Sequence, residues 1–287
     1  MISTATAPAD VLLAGFGDLN AEVGRRLSSQ GHRVIGVRRR PVQSSVPFTV
    51  LQRDLAEPGT QKLPAAQAVV VALTADRRDA AGYQRSYRST LTGLAAMLPQ
   101  APQRLIFISS TSVLGDYHGQ VVTERTPPAP VRETAKVLLA AERDAAELFG
   151  GTVIVRPAGI YGPGRRRTID RVLDGHPADH SRITNRVHRD DLVTTIETLL
   201  KIDQPPRLLH AADAEPAPLG QVLEFLAQRL GVPTPPDGGT GRPTGKTVDS
   251  TRLHRMLGEP GLRFPSFREG YADLLAADEQ SPHSPRK

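Results

Sequence analysis

The sequence contains no cysteine and no tryptophan, and aromatic residues make up only 4% of it. Without cysteine the chain forms no disulfide, no thiolate metal site and no cysteine nucleophile. We read no metal-binding motif from the eight histidines that remain and therefore predict no metal site. The scarcity of aromatic rings also removes the stacking platforms that single-stranded nucleic acids use.

Long apolar runs are missing as well. A helix that spans a membrane needs about 18 or more uninterrupted apolar residues, and no such stretch occurs. Residues 1–10 lack the basic region followed by an apolar stretch that marks a signal peptide. We therefore predict a cytoplasmic protein with no membrane partner.

The basic residues give a formal net charge of +6, which taken alone favours a polyanionic partner. They are scattered, however, and form tight runs only at Arg38–Arg40 and Arg165–Arg167. We therefore predict a small-molecule substrate as partner and no nucleic acid. The sequence leaves the oligomeric state open between a monomer and a homodimer.

Short apolar segments alternate with helical patterns through the first half of the 287 residues. This alternation predicts an α/β fold of the Rossmann type, a doubly wound parallel sheet with right-handed crossovers. Strands are predicted at 11–14, 33–37, 48–51, 68–73, 104–109 and 152–156, and helices at 21–29, 83–98 and 136–149.

The domain organisation follows from where this alternation weakens. We predict a nucleotide-binding Rossmann domain over 9–160, to which 185–204 returns, and a smaller C-terminal α+β substrate lobe over 161–184 and 205–277. The segment 233–245, rich in Gly, Pro and Thr, predicts a mobile loop, and 278–287 predict a disordered tail.

The strongest chemical motif is the glycine turn Gly15-Phe-Gly17-Asp18-Leu19-Asn20 between the first strand and the first helix. Gly15 suits the tight turn, and Gly17 has no side chain to block a pyrophosphate. The backbone N–H groups of the helix start, at Asp18 and Leu19, favour an anion. Asn20 replaces the third glycine of the usual fingerprint, so we expect slightly looser helix packing there. The alternative is a tight turn without a ligand.

The second predicted strand ends at the run Arg38–Arg40. An NAD-binding protein usually carries an acid about 20 residues after the glycine turn, where it binds the ribose 2′-hydroxyl. Arg38 and Arg39 suit a 2′-phosphate instead, by bidentate hydrogen bonding and by stacking on adenine. The sequence therefore predicts NADP as the cofactor and NAD as the less favoured one. A solvated basic turn is the alternative.

Two further segments are expected at the same edge of the sheet. Asp54, after the third strand, is placed to accept a hydrogen bond from the adenine amino group, although a plain surface aspartate fits the pattern too. Leu73 and Thr74, at the end of the fourth strand, are expected against the cofactor ribose.

Several segments together resemble the extended or atypical short-chain dehydrogenase/reductase family, which includes the NAD-dependent sugar-nucleotide epimerases and dehydratases. The resemblance covers most of the chain and implies the Rossmann fold with a C-terminal substrate lobe. It depends on GFGDLN (15–20), ISSTSVLGDY (108–117), VRPAGIYGPGR (155–165), NRVHRDDLV (185–193), GKTVDSTRLHRMLG (245–258) and FPSFREGY (264–271).

The family resemblance implies a catalytic Ser or Thr after the fifth strand and a Tyr-x-x-x-Lys pair on the next helix. The serine position falls on Ser110, with Thr111 and Ser112 as neighbours that contact substrate, unless these hydroxyls merely end a strand. The helix lacks the tyrosine. A register fixed on Lys136 puts Arg132 there, and a register fixed on Glu142 makes the pair Thr134 and Leu138.

Arginine is no general base at neutral pH, because its pKa exceeds about 12. We therefore take Tyr117 as the substitute proton donor and Lys136 as a contact of the nicotinamide ribose, with a solvated lysine as the alternative. The resemblance further implies that Pro157 borders the nicotinamide. Tyr161 and Arg165 are expected to contact substrate.

These residues predict an NAD(P)-dependent oxidoreductase or epimerase that acts on a small polar or sugar-like substrate. The altered catalytic helix supports a second hypothesis, a non-catalytic NADP-binding sensor or partner-binding protein. A non-redox isomerase or lyase that uses the same site is a third.

Overall fold

The computed structural model describes residues 9–41 and 45–280. These divide into two compact units. Unit 1 comprises the described residues up to Leu114, then Pro128–Arg156 and Val193–Leu209. Unit 2 comprises Gly115–Pro127, Pro157–Leu192 and the described residues from His210 onward. Positions 115–127, 157–160 and 185–192 thus fall in unit 2, although we predicted them within the Rossmann domain, and 205–209 fall in unit 1 and not in the predicted lobe.

A seven-stranded sheet forms the centre of the fold, in the order β11-β7-β5-β4-β1-β2-β3. The strands from β3 across to β7 pair in parallel, which confirms the predicted α/β Rossmann class. The strands of the described chain are β1 Ala9–Ala14, β2 Val34–Arg38, β3 Thr49–Gln52, β4 Ala66–Val71, β5 Arg104–Ile108, β6 Val121–Val122, β7 Thr152–Pro157, β8 Gly159–Tyr161, β9 Ile183–Thr184, β10 Arg186–His188, β11 Leu208–Ala211, β12 Ala217–Pro218 and β13 Thr247–Val248.

Helices connect these strands. Residues Gln84–Ser89 form a π-helical segment between α2 and α3, where the sequence predicted one continuous helix, and Thr111–Leu114 form a 3₁₀ turn. The helices of the described chain are α1 Asp18–Ser29, α2 Ala80–Tyr83, α3 Thr90–Met97, α4 Glu133–Leu148, α5 Arg167–Leu173, α6 Arg189–Lys201, α7 Leu219–Leu230, α8 Thr251–Leu257 and α9 Phe267–Gln280.

The core of unit 1 lies on both faces of the sheet. Central strands of a parallel sheet are covered by helices on both sides, so their sequences are apolar throughout. Val69, Val70 and Val71 of β4 are fully buried, as are Leu12 and Leu13 of β1. The continuous apolar runs therefore predicted the central strands correctly.

Unit 2 has a core of its own, built from α5, α7 and α9. The segment predicted as a mobile loop is tied to this unit: the Asp237 carboxylate accepts the backbone N–H of His180, and Thr244 Oγ1 donates to Asp179. Main-chain and carboxylate hydrogen bonds thus replace the apolar contacts that the segment lacks. α9 extends to Gln280, three residues into the predicted disordered tail, and the rest of that tail lies outside the described residues. No helix in the described ranges is long and apolar enough to cross a membrane.

Candidate functional site

The two glycines of the turn between β1 and α1 have different structural roles. Gly15 has φ +79°, a conformation that favours glycine, and a Cβ there would collide with the carbonyl oxygen of Ala72. Gly17 has φ −104°, which any residue adopts, and a Cβ there would meet nothing within 4 Å. The fold therefore requires glycine at 15, whereas Gly17 leaves open space beside the N-terminus of α1.

Asn20 occupies the position of the third glycine and is completely buried. Its Nδ2 donates to the carbonyl oxygens of Ala14 and Gly15, each at 3.2 Å, and lies 3.4 Å from that of Val70. The slightly looser packing stays a prediction; the structure adds that the amide joins α1 to both β1 and β4 by hydrogen bonds. The sequence pattern marked the substitution but not its partners.

A pocket of about 240 Å³ opens beside this turn in unit 1. The predicted residues Gly15, Gly17, Leu73 and Thr74 line it together with the end of β2. Five arginines face only two carboxylates, so the lining is strongly basic. Its charged members are Arg38, Arg39, Arg40, Arg53, Asp54, Asp76 and Arg85.

From the arginine run, Arg38 and Arg39 were predicted to bind the cofactor. In the structure Arg40 lines the pocket as well. Arg39 Nη2 donates to Asp76 Oδ1 at 2.5 Å. Over residues 9–41 and 45–280, neither Arg38 nor Arg40 makes a side-chain hydrogen bond or an ion pair. These two cations therefore lack the carboxylate partner that Arg39 has.

Asp54 also lines the pocket, but its carboxylate is engaged. Oδ2 accepts from Arg85 at 2.9 Å and Oδ1 accepts the backbone N–H of Ala56 at 3.0 Å. Burial opposes the charged form, yet these hydrogen bonds keep the pKa of Asp54 below its usual value. Asp54 is thus an ionised group within reach of the pocket, held in place by Arg85 from the π-helical segment.

The π-helical segment positions one wall of the pocket. Tyr87 is buried within it, and its hydroxyl donates to the carbonyl oxygen of Leu73 at 3.2 Å, which orients the chain where β4 ends. Burial raises the pKa of Tyr87 to about 12, so the hydroxyl stays a donor. Arg85 and Ser86 of the segment line the pocket. Sequence periodicity does not reveal this segment, since π turns keep an almost helical pattern.

On α4, Glu142 faces the sheet and not solvent. Its carboxylate accepts two hydrogen bonds from Arg156 of β7, at 2.9 and 2.7 Å, and one from Ser109 Oγ at 2.5 Å. Glu142 and Arg156 are 6% and 4% exposed, respectively. This buried bidentate pair fixes the rotation of α4 against the sheet.

The residues of the two possible registers of the Tyr-x-x-x-Lys pair lie on different sides of α4. Lys136 is six residues before Glu142, about 120° away around the helix, and its ammonium bonds to Glu133 at 2.7 Å with half of its side chain exposed. Leu138, one turn before Glu142, is buried, and Thr134 is half-buried. Thr134, Leu138 and Glu142 thus share the more buried side of α4, whereas Lys136 lies away from it.

The predicted serine cluster begins directly after β5 in unit 1. Ser110 Oγ accepts the backbone N–H of Ser112 at 3.1 Å, which caps the 3₁₀ turn that Thr111 opens. Ser110 and Thr111 are half-buried and Ser112 is exposed. Tyr117 belongs to unit 2, where its hydroxyl donates to the carbonyl oxygen of Pro127 at 2.9 Å.

In unit 2, Tyr161 is a core residue and not a surface contact, which corrects its predicted role toward substrate. It is 4% exposed and packs on Tyr271 with ring centroids 4.6 Å apart. Burial raises its pKa above the usual phenol value.

Two further predicted residues lie elsewhere. Pro157, at the end of β7, is buried. Arg165 lines a separate cavity of about 570 Å³ together with Arg167 and Arg171.

Two histidines of unit 2, His176 and His180, are four positions apart, a spacing that suits two metal ligands when both lie on one helix. α5 ends at Leu173, however, so both lie beyond it. His180 Nε2 instead forms a hydrogen bond with the carbonyl oxygen of Pro235 at 3.0 Å. This local arrangement ties the neighbouring loop to the unit.

Comparison with known proteins gives matches over most of the chain. Protein YeeZ of Escherichia coli strain K12 is 33% identical over 201 residues, which are 67% of this chain and 70% of that protein. A solved structure from Methylobacillus flagellatus, described as that of an NAD-dependent epimerase/dehydratase, is 33% identical with a TM-score of 0.79 and covers 95% of this chain and 100% of that one.

The structure of MoeE5 in complex with UDP-glucose and NAD shares the fold, with a TM-score of 0.78 at 22% identity over 95% of this chain and 99% of that one. The model of the NAD dependent epimerase/dehydratase family matches residues 17–196, which include α1, the arginine run, Ser110 and α4. The chain therefore belongs to the NAD-dependent epimerase/dehydratase family, within the extended type of short-chain dehydrogenases/reductases.

Proposed function

We propose that the protein is an NADP-dependent oxidoreductase or epimerase that acts on a small polar or sugar-like substrate. The observation that carries the choice of cofactor is the basic pocket of unit 1, where Arg38 and Arg40 have no carboxylate partner among the described residues. The open space at Gly17 beside the start of α1 supports a pyrophosphate at the same site.

The excess of arginine favours a phosphorylated ribose for electrostatic reasons. NADP differs from NAD by a 2′-phosphate, which carries nearly two negative charges and accepts bidentate hydrogen bonds from guanidinium groups. The family name refers to NAD, so a preference for NADP is a property of this chain's own arginines. When bound, the nicotinamide ring supplies or accepts a hydride.

Replacing Arg38 and Arg40 with alanine is expected to weaken NADPH binding. Each charge-assisted hydrogen bond to phosphate contributes about 1.5–3 kcal/mol, so each single variant loses roughly 10- to 150-fold in affinity. NADH affinity should change little, because NADH has no 2′-phosphate. Titration of both cofactors by fluorescence or calorimetry measures the two dissociation constants.

Arg33→Ala provides the matched control, since Arg33 precedes β2 and lies outside the pocket lining. It removes the same charge and should leave both affinities unchanged. Equal losses of NADPH and NADH affinity in Arg38→Ala and Arg40→Ala would show that these arginines do not bind the 2′-phosphate.

For the chemistry we propose that Ser110 orients the reacting oxygen of the substrate, with Thr111 and Ser112 beside it and Tyr117 as proton donor. The ribose contact predicted for Lys136 is not retained, because its ammonium is on the outward side of α4. Arg165, in its cavity with Arg167 and Arg171, is proposed to hold an anionic group of the substrate.

Ser110→Ala and Tyr117→Phe are each expected to lower the rate of a single hydride transfer. General acid–base assistance contributes about 10²- to 10⁴-fold, and loss of an orienting hydroxyl reduces the same step. Loss of NADPH absorbance, with small carbonyl compounds and sugar nucleotides as substrates, measures the rate. Ser29→Ala, which removes a hydroxyl that, within the described part of the chain, bonds only to the carbonyl oxygen of Arg26, is the control. Wild-type rates in both active-site variants would contradict these roles.

The sensor hypothesis is favoured by one observation, the orientation of α4. Thr134 and Leu138 lie on the face of α4 that carries Glu142, and neither side chain has a titratable group that could replace the tyrosine and lysine of the motif. Tight NADPH binding together with no turnover of any substrate tested would favour the sensor over the enzyme.

A further inference from the structure

We infer that Asp76 limits the preference for NADP, because its carboxylate competes with the cofactor's 2′-phosphate for Arg39. This inference rests on the proposed NADP site and adds a specificity-determining residue to it. Asp76 was not among the residues that the sequence motifs indicated.

The contact between Asp76 and Arg39 joins two sides of one pocket. Arg39 follows β2 and Asp76 follows β4, and both side chains line the pocket. Arg39 Nη2 lies 2.5 Å from Asp76 Oδ1, and each side chain is 37% exposed. The carboxylate therefore accepts a hydrogen bond from one N–H group of Arg39. The side chains of Arg38 and Arg40 make no such bond within the described residues.

Electrostatics keep this carboxylate charged and directed at the arginine run. The hydrogen bond from Arg39 holds the pKa of Asp76 below its usual value, with further attraction from Arg40 and Arg85. Asp76 in turn raises the pKa of Arg39. Both groups thus remain ionised throughout the neutral range.

A phosphate and a carboxylate use guanidinium donors in the same way, as charge-assisted acceptors. Arg39 has five N–H donors, so a 2′-phosphate that binds it either displaces Asp76 from Nη2 or shares the guanidinium with a neighbouring negative charge, and both weaken phosphate binding. Arg38 and Arg40 have no such hydrogen bond within the described residues. Removal of the Asp76 charge therefore helps chiefly the phosphorylated cofactor. The larger part of the gain comes from releasing Arg39, and a smaller part from ending the repulsion between the carboxylate and the phosphate.

The test compares Asp76→Asn and Asp76→Ala with the wild type at fixed ionic strength, because screening alters exposed charges. An ion pair of this exposure is worth about 0.2–1 kcal/mol, so NADPH should bind up to roughly five-fold more tightly in both variants. NADH affinity should stay constant. In an Arg39→Ala background the same substitutions should raise NADPH affinity by a smaller factor, because only the repulsion between Asp76 and the phosphate is then relieved.

Asp10→Asn is the matched control, since Asp10 pairs with Arg33 at the start of β1 and is outside this pocket. It changes the net charge equally and should alter neither affinity. Weaker binding of both cofactors in Asp76→Asn would mean that the pair holds the cofactor and does not compete with it, which would overturn the inference. So would an unchanged NADPH affinity.

The two proposals fail in different ways. A wild-type protein without any preference for NADPH contradicts the proposed cofactor and this inference together. A wild-type protein that prefers NADPH, with no gain on replacement of Asp76, contradicts only the inference.

Discussion

Replacement of Gly17 by valine is expected to abolish dinucleotide binding while the protein remains folded. The backbone at Gly17 is extended, with φ −104° and ψ −166°, a conformation that β-branched residues favour. A Cβ there would touch nothing within 4 Å, so the added side chain starts in open space. The added methyl groups would fill the space beside the first turn of α1, where the pyrophosphate is proposed. We expect an affinity loss of about 100-fold or more, or ~2.7 kcal/mol.

Binding of NADPH and NADH to Gly17→Val, together with circular dichroism and urea unfolding, measures both parts of this prediction. Gly150→Val is the matched control, because a Cβ at Gly150 would also meet nothing within 4 Å and the residue lies before β7, outside the pocket. It should bind both cofactors normally. Gly15→Ala should instead lower stability, since Gly15 has positive φ and a Cβ there would collide with Ala72. Normal cofactor affinity in a folded Gly17→Val protein would show that the dinucleotide binds elsewhere.

Glu142→Gln is expected to cause the largest loss of stability among the substitutions considered. Glu142 is 6% exposed and forms the bidentate pair with Arg156, which is 4% exposed. Removal of one partner from a buried ion pair leaves the other charge uncompensated and typically costs about 3–5 kcal/mol. The carboxylate also accepts the Ser109 hydroxyl, so the neutral amide disturbs a third group.

Urea unfolding of Glu142→Gln and of Glu133→Gln provides the comparison on one helix. Glu133 pairs with Lys136 at the surface, with 70% and 53% of the two side chains exposed, and its loss should cost less than about 1 kcal/mol. The double variant Glu142→Leu with Arg156→Met should recover much of the stability, because no charge remains buried. If Glu142→Gln unfolds at the same urea concentration as Glu133→Gln, the buried pair does not stabilise α4.

Much of the fold could be predicted because strands and helices follow from local patterns of apolar residues. The apolar run at 68–73 predicted a buried parallel strand, and β4 is Ala66–Val71. The predicted helix over 83–98 was wrong in one respect, since Gln84–Ser89 are π-helical. That difference is set by contacts such as the hydrogen bond from Tyr87 to Leu73, which no periodicity records.

The candidate site could be predicted in its position but only partly in its members. Gly17 and Arg38 follow from motifs at strand ends, and both line the pocket. Asp76 and Arg85 also line it, but they belong to no sequence motif and lie in segments that are distant in sequence from the glycine turn. The position of Lys136 depends on the rotation of α4 about its axis. The ion pair of Glu142, six residues further along the helix, fixes that rotation.

The sequence by itself determined the alternation of strands and helices, the glycine turn and the basic end of β2, because propensity, periodicity and turn chemistry act over a few neighbouring residues. Only the tertiary structure decided which charged groups meet. The partners of Arg39, Glu142 and Asn20 lie 37, up to 33 and up to 50 positions away, respectively. Such meetings depend on the order of the strands and on the direction of each side chain, and both are fixed only when the core packs.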